Sequence, residues 1–317
     1  MKKNKFIKLI VLAGVMITFA ITSCKKDFFD INQNPNDPAE AAIEQLLPSA
    51  EAAIGLVVGN SFQVFGGLYG QYWTQGTAST QYKNYEQYNP TASDLDNPWK
   101  AIYADALPDL NAIIEKATAQ QKPNYVACAL ILKAYSLQLL TDNFGDVPYS
   151  EALQGDKNFS PKYDKQQDVY DTIIATIKSG IALIDESSDI HPAADDLLLN
   201  GDMAVWRGFA NTLLLRVYLR ISEVDNAKAA AGITAMDADP DVYFLAEGEN
   251  VEIKYTSQGG NTNPLSAEMA GLNNTQNLVA SKTCVDYLNN NNDLRNESFY
   301  DAIASGVVGI SQGAYNF

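Results

Sequence analysis

The sequence predicts a mainly α-helical protein of antiparallel helix pairs, like those of helical-repeat arrays, with a minor irregular or β part. Three observations lead there. Apolar residues recur every three or four positions over several long segments. One further segment is apolar almost all round, as a helix covered by neighbours must be. Within the folded part, weak strand character and a long Gly/Asn/Thr-rich stretch fall together at 242–277. The 317 residues suffice for one large or two ordinary domains, and 46% hydrophobic with 19% charged residues marks a globular chain.

The elements follow in order. Asp37 and Pro38 supply an N-cap and a first-turn proline for a helix over 39–59, interrupted at Pro48. A second helix is expected over 61–75 despite its glycines. Trp99, Ile102, Tyr103, Ala106, Leu110, Ile113 and Ile114 mark a helix from Pro98 to Gln120, kinked at Pro108. The all-round apolar helix spans 123–141 and is stopped by Gly145 and Pro148. Val169, Tyr170, Ile173, Ile174 and Ile177 lie along a helix over 165–187. The helix over 203–224 is polar on two sides, with Arg207 and Asn211 on one and Thr212, Arg216 and Arg220 on the other. It is expected between other helices, its arginines paired with carboxylates. A short helix over 226–236, weak strand character over 242–256, a loop over 257–277 and a last helix over 278–288 complete the reading.

Charge and residue usage exclude several functions. Lys and Arg total 22 against 38 Asp and Glu. The first 23 residues hold four lysines and no acid, so a chain without them carries 18 basic against 38 acidic groups, a net −20. Such a surface has no basic excess with which to displace counterions from a nucleic acid. One histidine rules out most His-based metal or triad sites, and three cysteines make no disulfide framework. Cys128 and Cys284 lie in helical patterns and read as structural. The run 237–241 has calcium-loop acids but lacks the Gly and Glu such a loop needs. No cofactor, metal site or catalytic residue is expected.

The N-terminus reads as an address. Lys2, Lys3, Lys5 and Lys8 precede 13 uncharged, mostly apolar residues, then Thr22, Ser23 and Cys24. This is the pattern of a secretory signal peptide over 1–23, too short to span a bilayer comfortably. Ile21-Thr22-Ser23-Cys24 resembles a lipobox, which makes Cys24 the expected lipidation site. A lipidated tether over 24–37 would then precede the helical domain at 38–317. The Lys25-Lys26-Asp27 that follows is similar to signals for export to the outer cell surface.

Four segments together carry a family resemblance. Thr141-Asp142-Asn143-Phe144-Gly145-Asp146-Val147-Pro148-Tyr149 forms a helix exit. Cys24 to Asn36 is an Asn- and Asp-rich start. Pro98-Trp99-Lys100-Ala101-Ile102-Tyr103 and Trp206-Arg207-Gly208-Phe209-Ala210-Asn211 lie on helices. The chain thereby resembles the SusD/RagB family of outer-membrane nutrient-binding lipoproteins, in its second, SusD-like branch. The resemblance implies tetratricopeptide-like helix pairs, an α-α superhelix, cradling a less regular ligand-facing part. It also implies a SusC-type TonB-dependent transporter as partner and an oligosaccharide, or in some branches a peptide, as ligand. Family members are usually longer, so the chain is expected to be incomplete at its C-terminus. Physically the helix exit reads as scaffold: Gly145 takes a positive φ, Pro148 holds Val147 extended, and Tyr149 packs back on the helix.

Residues 62–88 hold eight aromatics where an average of 10% gives between two and three. Phe62, Phe65, Tyr69 and Trp73 share helical spacing and read first as core. Trp73 stands at the expected helix end, and Tyr82, Tyr85 and Tyr88 follow among amides that include Asn84. Aromatic faces beside amides suit sugars, whose C–H faces stack while their hydroxyls hydrogen-bond. The candidate ligand-binding residues are therefore Trp73, Tyr82, Tyr85, Tyr88 and Asn84. The family's glycan platforms are likewise aromatic and loop-borne. A second candidate is the loop 258–277 with Asn261, Asn263 and Asn273. The alternatives are a peptide-binding member of the same family and, behind it, a surface glycoside hydrolase, since carboxylates such as Asp195 and Asp196 abound and two of them suffice for the chemistry.

Overall fold

The computed structural model describes residues 41–91, 93–258, 260–271 and 277–314. The signal peptide, Cys24, its tether and the Asp37–Pro38 cap lie outside them, as does Asn273.

The chain opens with α1 (Ile43–Leu56), which runs through a π turn (Val57–Ser61) into α2 (Phe62–Tyr69). Pro48 sits inside α1 without breaking it. Leu47 and Ala50 on either side are buried, and their packing outweighs the lost backbone hydrogen bond. A strand β1 (Trp73–Gln75) and a short α3 (Lys83–Glu86) follow. The expected kink at Pro108 takes a different form. α4 (Asp96–Lys100) passes into a π segment (Ala101–Ala106) before α5 (Leu107–Ala119), with Pro108 in the first turn of α5. The wider winding absorbs the donor that proline lacks.

α6 (Pro123–Phe144) is buried on every side, as its sequence requires; Cys128, Ile131, Leu132, Leu137 and Leu140 are all enclosed. It packs on α5 before it and on α7 (Gln166–Leu183) after it, and α7 packs on α8 (Met203–Arg220). α9 (Asn226–Asp237) returns along α8. Consecutive helices thus stack in tetratricopeptide-like pairs, with Trp206 at 0% exposure among the largest core side chains. Each such side chain contributes roughly 1.5–3 kcal/mol by burial. Asp202 caps α8 by accepting from the N–H groups of Ala204 and Val205. Asp225 caps α9 through Lys228 N–H.

The helix exit is a scaffold joint. Gly145 has φ +74°, which a Cβ would strain although the space beside it is open. Val147 is buried and exchanges backbone hydrogen bonds with Asp164. Asp146 accepts from Gln166 N–H and so caps α7. On α8, Arg207 pairs with Glu186 and Arg220 with Asp142 at 3.6 Å. Arg216 departs from expectation: it donates to Gln138 Oε1 at 2.6 Å and lies 5.1 Å over the Tyr135 ring.

The C-terminal part corrects three expectations. Residues 242–256 form no strand, and a turn at 247–248 interrupts them. Ile253 and Tyr255 lie against Gly55 of α1 instead, and the alternation is kept as burial, with Val251, Ile253 and Tyr255 half-buried and Glu252 and Lys254 exposed. The expected loop 257–277 contains α10 (Pro264–Gly271), capped by Asn263 Oδ1. Residues 278–280 are a strand, β2 (Leu278–Ala280), antiparallel to β1 in the register Trp73 to Ala280, Thr74 to Val279 and Gln75 to Leu278. α11 (Lys282–Asn290) and α12 (Arg295–Phe299) follow.

Candidate functional site

The aromatic segment turns out to be a helix, a turn and a strand. α2 ends at Tyr69, and Gly70, Gln71 and Tyr72 turn back, with Tyr72 N–H donating to Gly67 O at 2.9 Å. Trp73 thus lies on β1, not at a helix end, and its ring covers Gly67. A Cβ on Gly67 would sit 2.6 Å from Trp73 Cε3, so only glycine allows the contact.

From here an aromatic ladder runs to the surface. Tyr82 stacks on Tyr85 with centroids 6.0 Å apart, and Tyr85 meets Phe65 edge-on at 5.5 Å. Phe65 stacks on Tyr69 at 4.3 Å, and Tyr69 meets Tyr88 edge-on at 5.1 Å. Tyr82 is only 7% exposed and belongs with Val64 and Leu68 to a core cluster, against which Trp73, Tyr85, Leu265, Met269 and Leu278 pack. Tyr88 is 54% exposed and Tyr72 57%. Trp73, Tyr85 and Asn84 are half-buried.

The polar groups fix this ladder. Tyr82 donates its hydroxyl to Glu268 Oε1, which also accepts from Gln81; Glu268 Oε2 accepts from Asn60 at 2.6 Å. Burial raises the Tyr82 phenol, and the Glu268 carboxylate raises it further. Burial likewise raises Tyr85 and Tyr69, with Asp94 adding to both. Glu86 accepts from Thr74 and from Gln75 N–H, and Gln75 in turn holds Tyr82 N–H and Ser79 O. Asn84 donates to Asp94 Oδ2 at 2.7 Å, the same oxygen that accepts from Thr91 N–H, so this amide is already engaged. The Tyr69 hydroxyl, beneath Tyr88, is buried with no hydrogen-bond partner among the described residues.

The five residues expected from sequence are therefore brought together, in unequal positions. Tyr88 presents a ring to solvent; Tyr82, Tyr85 and Asn84 hold the layer behind it; Trp73 joins that layer to the β1–β2 pair. Sequence reasoning missed Glu268 and the Gln71 amide, and the 186-residue separation of Tyr82 from Glu268 leaves no local signal. In the loop 258–277, Asn263 caps a helix and Asn261 closes a turn.

The carboxylates offered for hydrolysis sit elsewhere. Asp196 is buried and accepts from the N–H groups of Leu198, Leu199 and Gly201 and from Trp206 Nε1 at 2.7 Å. Beside it, Glu51 is pushed up to about 10, first by burial and then by the charge of Asp196. Asp195 accepts from Tyr125. Among the described residues no group of three or more potential ligands could hold a metal ion.

Comparison with known proteins gives a uniform result. The profile of a SusD-like family, described as starch-binding and associating with the outer membrane, matches residues 35–316. A solved chitin-binding protein is 28% identical, with 80% of this chain and 54% of that one aligned at a TM-score of 0.67. A SusD-like protein of Bacteroidetes AC2a is 25% identical, with 80% and 50% aligned at 0.67. A SusD-like protein from Bacteroides thetaiotaomicron, 24% identical, shares the fold over 86% and 56% at 0.68. The chain spans about half the length of these solved relatives. None of the curated protein sequences matches it.

Proposed function

We propose that this chain, which belongs to the SusD-like family associated with the outer membrane, binds oligosaccharides at the exposed end of the aromatic ladder and alters none of their bonds. One observation carries the reading: five stacked or edge-on rings lead without a break from the buried Tyr82 to the solvent-exposed Tyr88. Such a ladder gives a sugar a rigid apolar face. Gln71, whose amide nitrogen donates to the Tyr88 hydroxyl, keeps its carbonyl oxygen to accept from a sugar hydroxyl beside that ring. In this reading Tyr88 contacts ligand, while Trp73, Tyr82, Tyr85 and Asn84 keep the platform rigid.

The family's description as starch-binding and the similarity to a chitin-binding protein favour a glycan. Acylated Cys24 then holds the protein on the outer face of the outer membrane, each buried methylene contributing about 0.8 kcal/mol. From there it delivers glycan to a SusC-type TonB-dependent transporter. Calorimetric titration with maltoheptaose, chitohexaose and an unrelated peptide pool tests the binding. Saturable heat with a glycan supports the reading; heat with peptides alone would move it to a peptide-binding member of the same family.

A further inference from the structure

The helix exit lines a cavity that shares no residue with the ladder. Its walls come from α5, α6 and the segment after Gly145, and its volume is about 240 Å³. That is below the ~300 Å³ at which pockets for drug-sized ligands begin, so it suits a molecule the size of one sugar. Tyr103, Leu137, Tyr149 and Leu153 supply apolar walls, and Asn111 and Lys133 supply polar ones.

Lys133 is the unusual member. It lies on α6, the helix buried on every side, in a chain whose acids outnumber its bases. Its ammonium donates to the neutral Asn111 Oδ1 at 2.8 Å and sits 5.7 Å over the Tyr149 ring. Among the described residues no carboxylate lies within ion-pair distance of it, and no Asp or Glu lines the cavity. Burial lowers the ammonium below its ordinary range, the expected response of a half-buried cation without a counter-ion. Asp164, the acid bonded to the cavity-lining Tyr149 and Ser150, is already occupied. It accepts from Tyr149 N–H and from Ser150 N–H and Oγ, and burial, which would raise it, is outweighed by those donors.

The cavity is also rigid. Tyr103 donates to Pro148 O at 2.6 Å, which fixes one wall against the next. Asp164 holds Tyr149 and Ser150 in place from behind. A built recess with aromatic walls, an amide and one uncompensated cation is complementary to a single negative charge on a small, partly apolar body. The geometry points to a binding site for a monosaccharide-sized carboxylate, such as a hexuronate, with Lys133 as its counter-ion.

The test is calorimetry at low ionic strength with D-glucuronate, its uncharged methyl ester and D-glucose on the whole chain. A charge-assisted hydrogen bond in a half-buried site gives the carboxylate about a tenfold or greater preference over the ester. Lys133→Arg keeps that preference, and Lys133→Met abolishes it. Equal affinity for glucuronate and its ester on the unaltered protein would overturn the proposal, as would a preference that survives Lys133→Met. Where Lys133→Met does not fold, the ester comparison and Lys133→Arg decide alone.

Discussion

Gln71 and Tyr88 both hold left-handed backbone, at φ +56° and +52°, and the amide of the first donates to the hydroxyl of the second at 3.0 Å. Neither is glycine, so each conformation costs on the order of 1 kcal/mol. The two costs support one result: the ring at the outer end of the ladder is held out to solvent by a partner 17 residues earlier. Strain of this kind is retained where surrounding structure enforces it, and here it coincides with the proposed platform.

Gln71→Gly is therefore expected to raise stability and lower glycan affinity together. Relief of the positive φ adds roughly 1 kcal/mol, a rise of about 2–4 °C in Tm for a chain of this size. Loss of the hydrogen bond frees Tyr88. Thermal unfolding and glycan titration of the same preparation check both halves. A gain in stability with unchanged affinity would detach Gln71 from the site.

Gly67→Ala should be costly although it adds one methyl group. The new Cβ would meet three atoms of the Trp73 ring at 2.6–3.2 Å, and that ring is wedged against the core cluster. Overpacking of this kind costs about 1–3 kcal/mol. Urea denaturation measures it, and a change in Trp73 fluorescence should accompany it.

Glu51 makes stability fall with rising pH. Its folded value, about 10, lies above the ordinary carboxyl value of 4.5, so the folded state keeps a proton that the unfolded state releases. Nothing is lost below pH 4.5. Above it the folded state is penalised progressively until about pH 10. Each pH unit within that window costs up to about 1.4 kcal/mol. Glu51→Gln keeps the shape without the titration, so its advantage over the unaltered protein should grow from pH 5 to pH 8 by a few kcal/mol. Parallel denaturation curves at both pH values, with no growing gap, would contradict the assignment.

Gly145→Ala should lose about 1–3 kcal/mol, because φ +74° with ψ −120° is open to glycine alone. The space around the position is empty, so the loss is purely one of backbone. Chemical denaturation gives the value. A neutral substitution would mean that the helix exit relaxes without harm.

The helices were legible because their burial is periodic or complete. Val169, Ile173 and Ile177 are enclosed along one face of α7, and α6 has no exposed face to hide. The helix exit was legible because Gly145 and Pro148 act on the backbone locally. What escaped the sequence depends on distant pairing. Trp73–Gln75 is too short to declare itself a strand, and its partner Leu278–Ala280 lies some two hundred residues on. α10 hides in a Gly- and Asn-rich stretch, and Glu268, which holds Tyr82, hides with it. The candidate site was legible as composition, a cluster of aromatics beside amides. Which ring faces solvent was not, since Tyr82 and Tyr88 have similar neighbours in sequence and opposite burial in the fold.

The central claim is that an exposed ring at the end of a fixed ladder captures sugar without chemistry. Titration of maltoheptaose and chitohexaose into the unaltered protein and into Tyr88→Ala, followed by chromatography of the recovered glycan, tests it most directly. The account predicts saturable binding to at least one glycan, weakened about 3- to 10-fold by the loss of one stacking ring, with the glycan recovered at full length. Equal affinity in both proteins, or shortened chains in the recovered sugar, would contradict it.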